Sequence, residues 1–317
     1  MSKPFISILS PQGFRALLRS SSSHSRVVPI DATWYMPNSP HNGKGQYLNE
    51  DRIKDAAFFD LDEVALPESK YPHMLPPYEV FKKNIEALKL QKTDKLVFYD
   101  KTGIFSSPRA AWTFSLYGHG RVYLLNHYPD YKKHDYPLDT NPKDNLATSA
   151  ELGDAHHYEL ISQEQFSDNY QDQVIDYEEL LALVQSEKLE KHYVTFDARS
   201  TDRFTGKSPE PRPGLSSGHI PGALSLPFNK VLKEDGSYKS KEELIQLFKD
   251  DFNIDVTDPT LGGKEAVIVM CGTGVTAVIL KLALQSVIGT GFPIRVYDGS
   301  WTEWAQRAPS AYIAKSG

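Results

Sequence analysis

A single cysteine in 317 residues leaves no partner for an intramolecular disulfide and no set of thiolates for a zinc or iron–sulfur site. No run of 18 or more apolar residues is present, so no segment reads as a membrane-spanning helix. Positive charge is not in excess either: 35 basic side chains stand against 41 acidic ones, a net charge of −6. That balance argues against a general binder of nucleic acid or of an anionic membrane surface, which would carry a basic face. Acidic residues are missing altogether from residues 1–30, where Lys3, Arg15, Arg19 and Arg26 lie among eight serines, the composition of a mitochondrial transit peptide. Against that reading, Ser10 can cap a helix with Phe14, Leu17 and Leu18 at helical spacing, and residues 26–31 (RVVPID) read as a strand. The stretch is expected to be folded protein, with the cytosol as the first address and mitochondria as the second.

What is present is ordinary globular composition, 40% hydrophobic and 24% charged, at a length that suits two domains of about 150 residues. The chain also repeats itself. VVPIDATWY at residues 27–35 returns as YVTFDARS at 193–200, RIKDAAFFDLD at 52–62 as HIPGALSLPF at 219–228, and KLVFYD at 95–100 as AVIVMC at 266–271. Asp31 thus recurs at Asp197, Ala56 at Ala223 and Asp100 at Cys271, a nearly constant offset that is the signature of one fold used twice. Within each copy, apolar runs (95–99, 193–197, 265–270, 294–298) read as strands covered on both faces. Helical stretches such as 78–88 and 241–248 lie between them, so parallel sheets with crossover helices are expected. Residues 139–157 are polar and aperiodic and read as a connector. The adjacent His156 and His157 in it have no clustered ligands around them, and no metal site is expected.

The lone cysteine, Cys271, ends the apolar strand 265–270 and opens the loop Gly272, Thr273, Gly274, Val275, Thr276. An apolar segment, 277–284, follows and reads as a buried helix. The carboxyl edge of a parallel sheet is where α/β proteins bind ligands, and successive N–H groups in a glycine-containing turn can converge on an anion. A helix N-terminus beside the thiol favours its thiolate form. Cysteine-dependent phosphatases use a similar loop but need an arginine six residues after the nucleophile; that position is Ala277, which has no guanidinium to grip phosphate.

The loop CGTGVT at 271–276, followed by YDGSWTEW at 297–304, resembles the tandem-domain rhodanese family in its 3-mercaptopyruvate sulfurtransferase branch. DARSTDRFTG at 197–206, PEPRPG at 209–214, SGHIPGALSLPF at 217–228, DAAFFDLD at 55–62 and YPHMLP at 71–76 extend the resemblance over nearly the whole chain. It implies the α/β class, with two rhodanese-like domains, each an open parallel sheet with helices on both faces. Residues 1–138 would form a catalytically silent domain, 139–157 the linker and 158–317 the catalytic domain. Silence of the first follows from Asp100 standing where Cys271 stands in the second, since a carboxylate cannot carry a transferable sulfur.

The resemblance further implies a reaction. Cys271 would attack the sulfur of the donor and become a persulfide, which a thiol acceptor such as thioredoxin or glutathione removes. Arg203 and Arg212 match the family's substrate-clamping arginines, and guanidinium forks suit a carboxylate. Thr273 stands where the family often has serine, and with His73 and Asp62 it would form a proton relay. Since His73 and Asp62 come from the first half of the chain, the site would then draw on both domains. Thiosulfate-preferring relatives carry basic side chains just after the cysteine; Gly272 and Thr273 are neutral, which favours 3-mercaptopyruvate over the thiosulfate:cyanide reaction. Gly274, Val275 and Thr276 would complete the substrate-binding loop. No organic cofactor or metal is called for, because the sulfur rides on the protein. Fungal members feed tRNA thiolation through persulfide relays, so a relay protein is a further implied partner. The acidic net charge favours a protein acceptor over direct contact with nucleic acid, and no membrane partner is expected.

Overall fold

The computed structural model describes residues 6–22, 25–146, 158 and 160–316. Most of the expected connector, residues 147–157 with His156 and His157, lies outside the described residues. The chain divides into two compact units: Met1–Pro67, Leu75–Ser167 and Asp235–Ser237 form the first, Glu68–Met74, Asp168–Glu234 and Tyr238–Gly317 the second.

The first unit contains β1 (Ser7–Leu9), β2 (Val27–Asp31), β3 (Arg52–Ile53), β4 (Ala57–Phe58), β5 (Lys95–Tyr99), β6 (Val122–Leu125) and β7 (Leu138–Asp139). The second contains β8 (Val174–Ile175), β9 (Tyr193–Asp197), β10 (Ala223–Ser225), β11 (Ala266–Met270) and β12 (Ile294–Tyr297). Apart from a small antiparallel ribbon of β3 and β7, each unit holds one five-stranded parallel sheet, ordered β1-β6-β5-β2-β4 in the first and β8-β12-β11-β9-β10 in the second. Strand for strand this is one topology used twice, and the register repeats too. Asp31 pairs with Tyr99 and Asp197 with Met270, so Asp100 and Cys271 leave their sheets at the same point. The continuous apolar runs become central strands with every residue of β2 and β11 buried, as two-sided coverage requires.

The sequence-predicted helices form for the reasons read from their ends. Ser10 caps Pro11–Arg19 by accepting the Gly13 N–H at 3.0 Å, and Phe14 is buried beneath it. The helix expected to stop at Phe248 runs on to Phe252 and ends at Asn253 in the left-handed region. Phe252 extends the stripe of Leu244 and Phe248 by a further turn and packs edge-on against Phe196, with centroids 5.0 Å apart. After Cys271, the helix Ala277–Leu282 is buried at every residue and passes into a π-helical stretch, Ala283–Ile288. Lys281 is tolerated there because its Nζ donates to the Ile294 carbonyl at 2.6 Å.

The units part after Ser167 rather than at residue 158, because the intervening residues pack on the first sheet's helices. Phe166 stacks on Tyr117 at 4.4 Å, and the Tyr78 hydroxyl donates to the Ile161 carbonyl at 3.0 Å. His119 takes the Tyr158 hydroxyl: its Nε2–H donates to the Asp94 carbonyl at 2.8 Å, leaving Nδ1 as acceptor. Burial lowers this imidazole to about 4, so it stays neutral in that role. Each copy of the fold also gives up a short loop, and the two loops, beginning at Glu68 and Asp235, stand one repeat apart in sequence. Glu68–Met74 carries His73 into the second unit. Asp235–Ser237 joins the first, where His127 Nε2–H donates to the Asp235 carbonyl while its Nδ1 accepts the Asp130 N–H.

The repeated strand-end aspartates differ in their neutralisation. Asp197 is held by Arg199, whereas Asp31, fully buried, has Thr33 in that place, donating its N–H (2.9 Å) and hydroxyl (2.5 Å). Burial pushes the Asp31 carboxyl up to about 6 from 3.8. A raised carboxyl contributes stability that is full below the unfolded value and lost as pH rises through the folded one. Asp31→Asn, which cannot ionise, is therefore expected to gain about 2 kcal/mol relative to wild type between pH 4 and pH 7. Paired denaturant titrations at the two pH values measure this, and an unchanged difference would refute it.

Candidate active site

The carboxyl end of β11 delivers Cys271 into a loop clamped by the start of the helix after β12, Ser300–Arg307. The Cys271 N–H donates to Ser300 Oγ at 3.1 Å, and the Ser300 hydroxyl donates to the Tyr297 carbonyl at 2.8 Å. The Cys271 carbonyl accepts from Trp301 N–H at 3.0 Å, and the Gly272 carbonyl accepts from Thr302 N–H (2.9 Å) and hydroxyl (2.7 Å). Helix-terminal donors that would otherwise lack partners thus hold both carbonyls. Gly274 turns the chain in the left-handed region, a conformation that disfavours any side chain. Cys271 is 2% exposed, Thr273 and Val275 are buried, and Gly272 and Thr276 are half-buried.

Arg203, on the short helix Thr201–Thr205, lies against this loop: a Cβ built on Gly272 would stand 3.2 Å from Arg203 Nη2. A side chain at 272 would crowd the guanidinium, so the bare glycine leaves it room beside the loop. Behind it runs a chain of alternating charges. Arg203 Nε donates to Glu210 Oε2 at 3.1 Å and Nη2 donates to the same oxygen, while Glu210 Oε1 accepts from Arg199 Nη1 at 2.8 Å. Arg199 also pairs with Asp197, donates to the Gly218 carbonyl at 2.7 Å and stacks 4.2 Å over the Trp301 ring. Arg212 is half-buried in the turn at residues 211–214.

His73 sits in the segment that the first half of the chain gives to the second unit. Its Nδ1 lies 3.1 Å from Thr273 Oγ1, with both residues 5% exposed. Its φ of +62° is rare outside glycine and aims a loop residue that ordinary backbone geometry would turn elsewhere. Asp62 belongs to the first unit. It is exposed on an open pocket with Trp34, His41, Lys44 and Asp60, and both its oxygens accept from Trp34 Nε1 at 3.1 Å. The second unit therefore brings together Cys271, Thr273, His73 and Arg203. Among the described residues no group of three or more His, Cys, Asp or Glu side chains is disposed to hold a metal ion.

The matching loop of the first unit is filled by its own anion. Asp100, fully buried, accepts the N–H groups of Thr102, Phe105, Ser106 and Ser107 at 2.9–3.2 Å and the hydroxyls of Thr102 and Ser107 at 2.6 Å. Where the repeat has a carboxylate, the strand–loop–helix junction converges its donors on negative charge. In the first unit the amides of this loop thus turn toward a side-chain carboxylate.

Glu210, Arg199, Ser300, Trp301 and Thr302 lie within the matched stretches, and their identities alone give them no role. The one sequence signal for them was the Asp-x-Arg spacing at 197–199, since a charged pair at the end of a buried strand must be satisfied locally. The clamp on Cys271 involves backbone groups, which leave no trace in side-chain identity.

Residues 176–307 match the model of the rhodanese-like domain. The thiosulfate sulfurtransferase Tum1 of Saccharomyces cerevisiae is 41% identical over 99% of both chains, and the 3-mercaptopyruvate sulfurtransferase of Homo sapiens 31% identical over 98% of this chain and 95% of its own. The crystal structure of the yeast Tum1 protein superposes with a TM-score of 0.85 at 40% identity, covering 99% of both chains. A yeast mitochondrial complex I sub-stoichiometric sulfur transferase subunit gives 0.79 at 34%, covering 98% of this chain and all of that one. With whole-length relatives at this identity and a solved structure that superposes over the whole chain, the chain belongs to the rhodanese family of sulfurtransferases.

Proposed function

We propose that this sulfurtransferase takes its sulfur from 3-mercaptopyruvate, carries it as a persulfide on Cys271 and passes it to a thiol acceptor, releasing pyruvate. The observation that carries the reading is the Arg203 guanidinium lying over side-chain-free Gly272, next to the nucleophile, where a donor carboxylate would be gripped as sulfur is attacked. In the first step the Cys271 thiolate bonds to the donor sulfur and the sulfur–carbon bond breaks. Its electron pair goes to the donor's C3, which takes a proton to give pyruvate. The Thr273–His73 contact at 3.1 Å supports a route for that proton. In the second step the acceptor thiolate bonds to the outer sulfur and the Cys271 thiolate leaves. Donors converging on Asp100 in the matching loop support a cradle for the persulfide anion.

Thiosulfate as donor is the second reading, favoured by the name of the yeast relative. The yeast complex I subunit supports a protein acceptor and a mitochondrial address beside the cytoplasmic one. The deciding experiment incubates purified protein with 3-mercaptopyruvate or thiosulfate, without acceptor, and follows intact mass and pyruvate. A gain of one sulfur atom with stoichiometric pyruvate is the expected result. Loading from thiosulfate alone would transfer the assignment to the second reading.

A further inference from the structure

We propose that Glu210 is a positioning residue for donor recognition, acting through Arg203; this rests on the reading that Arg203 grips the anionic end of the sulfur donor. Glu210 is buried, with its side chain 3% exposed, yet sits between two arginines of different standing. Arg199 is 2% exposed and already satisfied by Asp197, the Gly218 carbonyl and the Trp301 face. Arg203 has a side chain 20% exposed, and Glu210 is its sole ion-pair partner among the described residues. Glu210 takes Nε and Nη2 of that fork, so Nη1 is the arm without a partner among the described residues.

A long arginine side chain loses much rotamer freedom on binding, and a fork fixed beforehand loses less. Glu210 holds the Nε–Nη2 edge of the guanidinium, and Nη2 stands 3.2 Å from where a Cβ on Gly272 would lie, so the held edge is the one facing the loop. Glu210 in turn is anchored by Arg199, so the alternating chain from Asp197 to Arg203 transmits the rigidity of β9 to the loop beside Cys271.

Glutamine at 210 keeps the shape, but its carbonyl can accept from one arginine only, while its NH2 opposes the N–H groups of the other. The test is a double-mutant cycle of Arg203→Met, Glu210→Gln and the double variant, measuring KM and kcat at a saturating acceptor thiol. Each single change is expected to raise the donor KM about tenfold with kcat within about threefold, and the double variant to match Arg203→Met. Additive effects on KM, or an unchanged KM in Glu210→Gln, would overturn the proposal. Arg203→Lys leaves Glu210 in place and guards against a folding defect. Its ammonium is a compact point charge without the planar fork that Glu210 holds in place, so a wild-type KM there also overturns the proposal. The wild type is first loaded with 3-mercaptopyruvate and with thiosulfate, and the cycle is run with whichever donor charges Cys271. Failure of the donor assignment is therefore read separately from failure of the Glu210 assignment.

Discussion

Cys271→Ser is expected to lower the rate of sulfur transfer by about 10⁴-fold or more and to eliminate the sulfur adduct altogether. The hydroxyl that replaces the thiol is scarcely ionised at neutral pH and is a poor nucleophile toward sulfur. Cys271 is the only cysteine in the chain, so no neighbouring thiol can substitute for it. The clamp around it consists of backbone bonds, from the Cys271 N–H to Ser300 and from Trp301 and Thr302 to the carbonyls of Cys271 and Gly272. Serine leaves all of these in place. The loss measured would then be one of chemistry, with Tm close to that of wild type as the control. Pyruvate release at the wild-type rate by the folded variant would end the assignment of Cys271 as sulfur carrier.

The largest effect on stability is expected at Asp100. Alanine there strips the acceptor from four N–H groups and two hydroxyls at once, in a loop where Asp100, Ser106 and Ser107 are fully buried. Orphaned buried donors each carry a desolvation penalty, and losses of this kind reach about 3–5 kcal/mol. For a unit of this size that is a fall in Tm of about 10 °C. Because the cradle left behind is an anion site, sulfate is expected to raise the Tm of Asp100→Ala more than that of wild type. Differential scanning calorimetry with and without sulfate measures both effects. A variant as stable as wild type would show that the donors find other partners, and with it would go the argument that the loop converges on negative charge.

Much of this molecule was legible in its residues. The three repeated stretches, set at a nearly constant offset, anticipated two copies of one sheet, because the positions that must be buried on both faces recur at matching places. Cys271 stood out by its position between an apolar strand and a helix apolar but for Lys281, a pattern set by local burial alone. Other features are not legible in the sequence because they depend on residues far apart in it. The helix from Lys241 extends past Phe248 because Phe196, on another element, receives Phe252. Residues 158–167 join the first unit because Tyr117 and His119 meet Phe166 and Tyr158 there. Nothing near Glu210 in sequence reveals that it bridges two arginines.

By itself, then, the sequence determined the α/β class, the twofold repeat, the loop at Cys271 and the carboxylate that stands in its counterpart at Asp100, because strand periodicity, glycine placement and residue chemistry are local properties. Only the tertiary structure decided that His73 reaches Thr273 from a loop given to the other unit, that Gly272 is bare so that Arg203 can lie against it, and that Ser300, Trp301 and Thr302 hold the cysteine's backbone. Those relations join groups from distant parts of the chain, and packing creates them by bringing buried polar atoms to partners that sequence spacing does not encode.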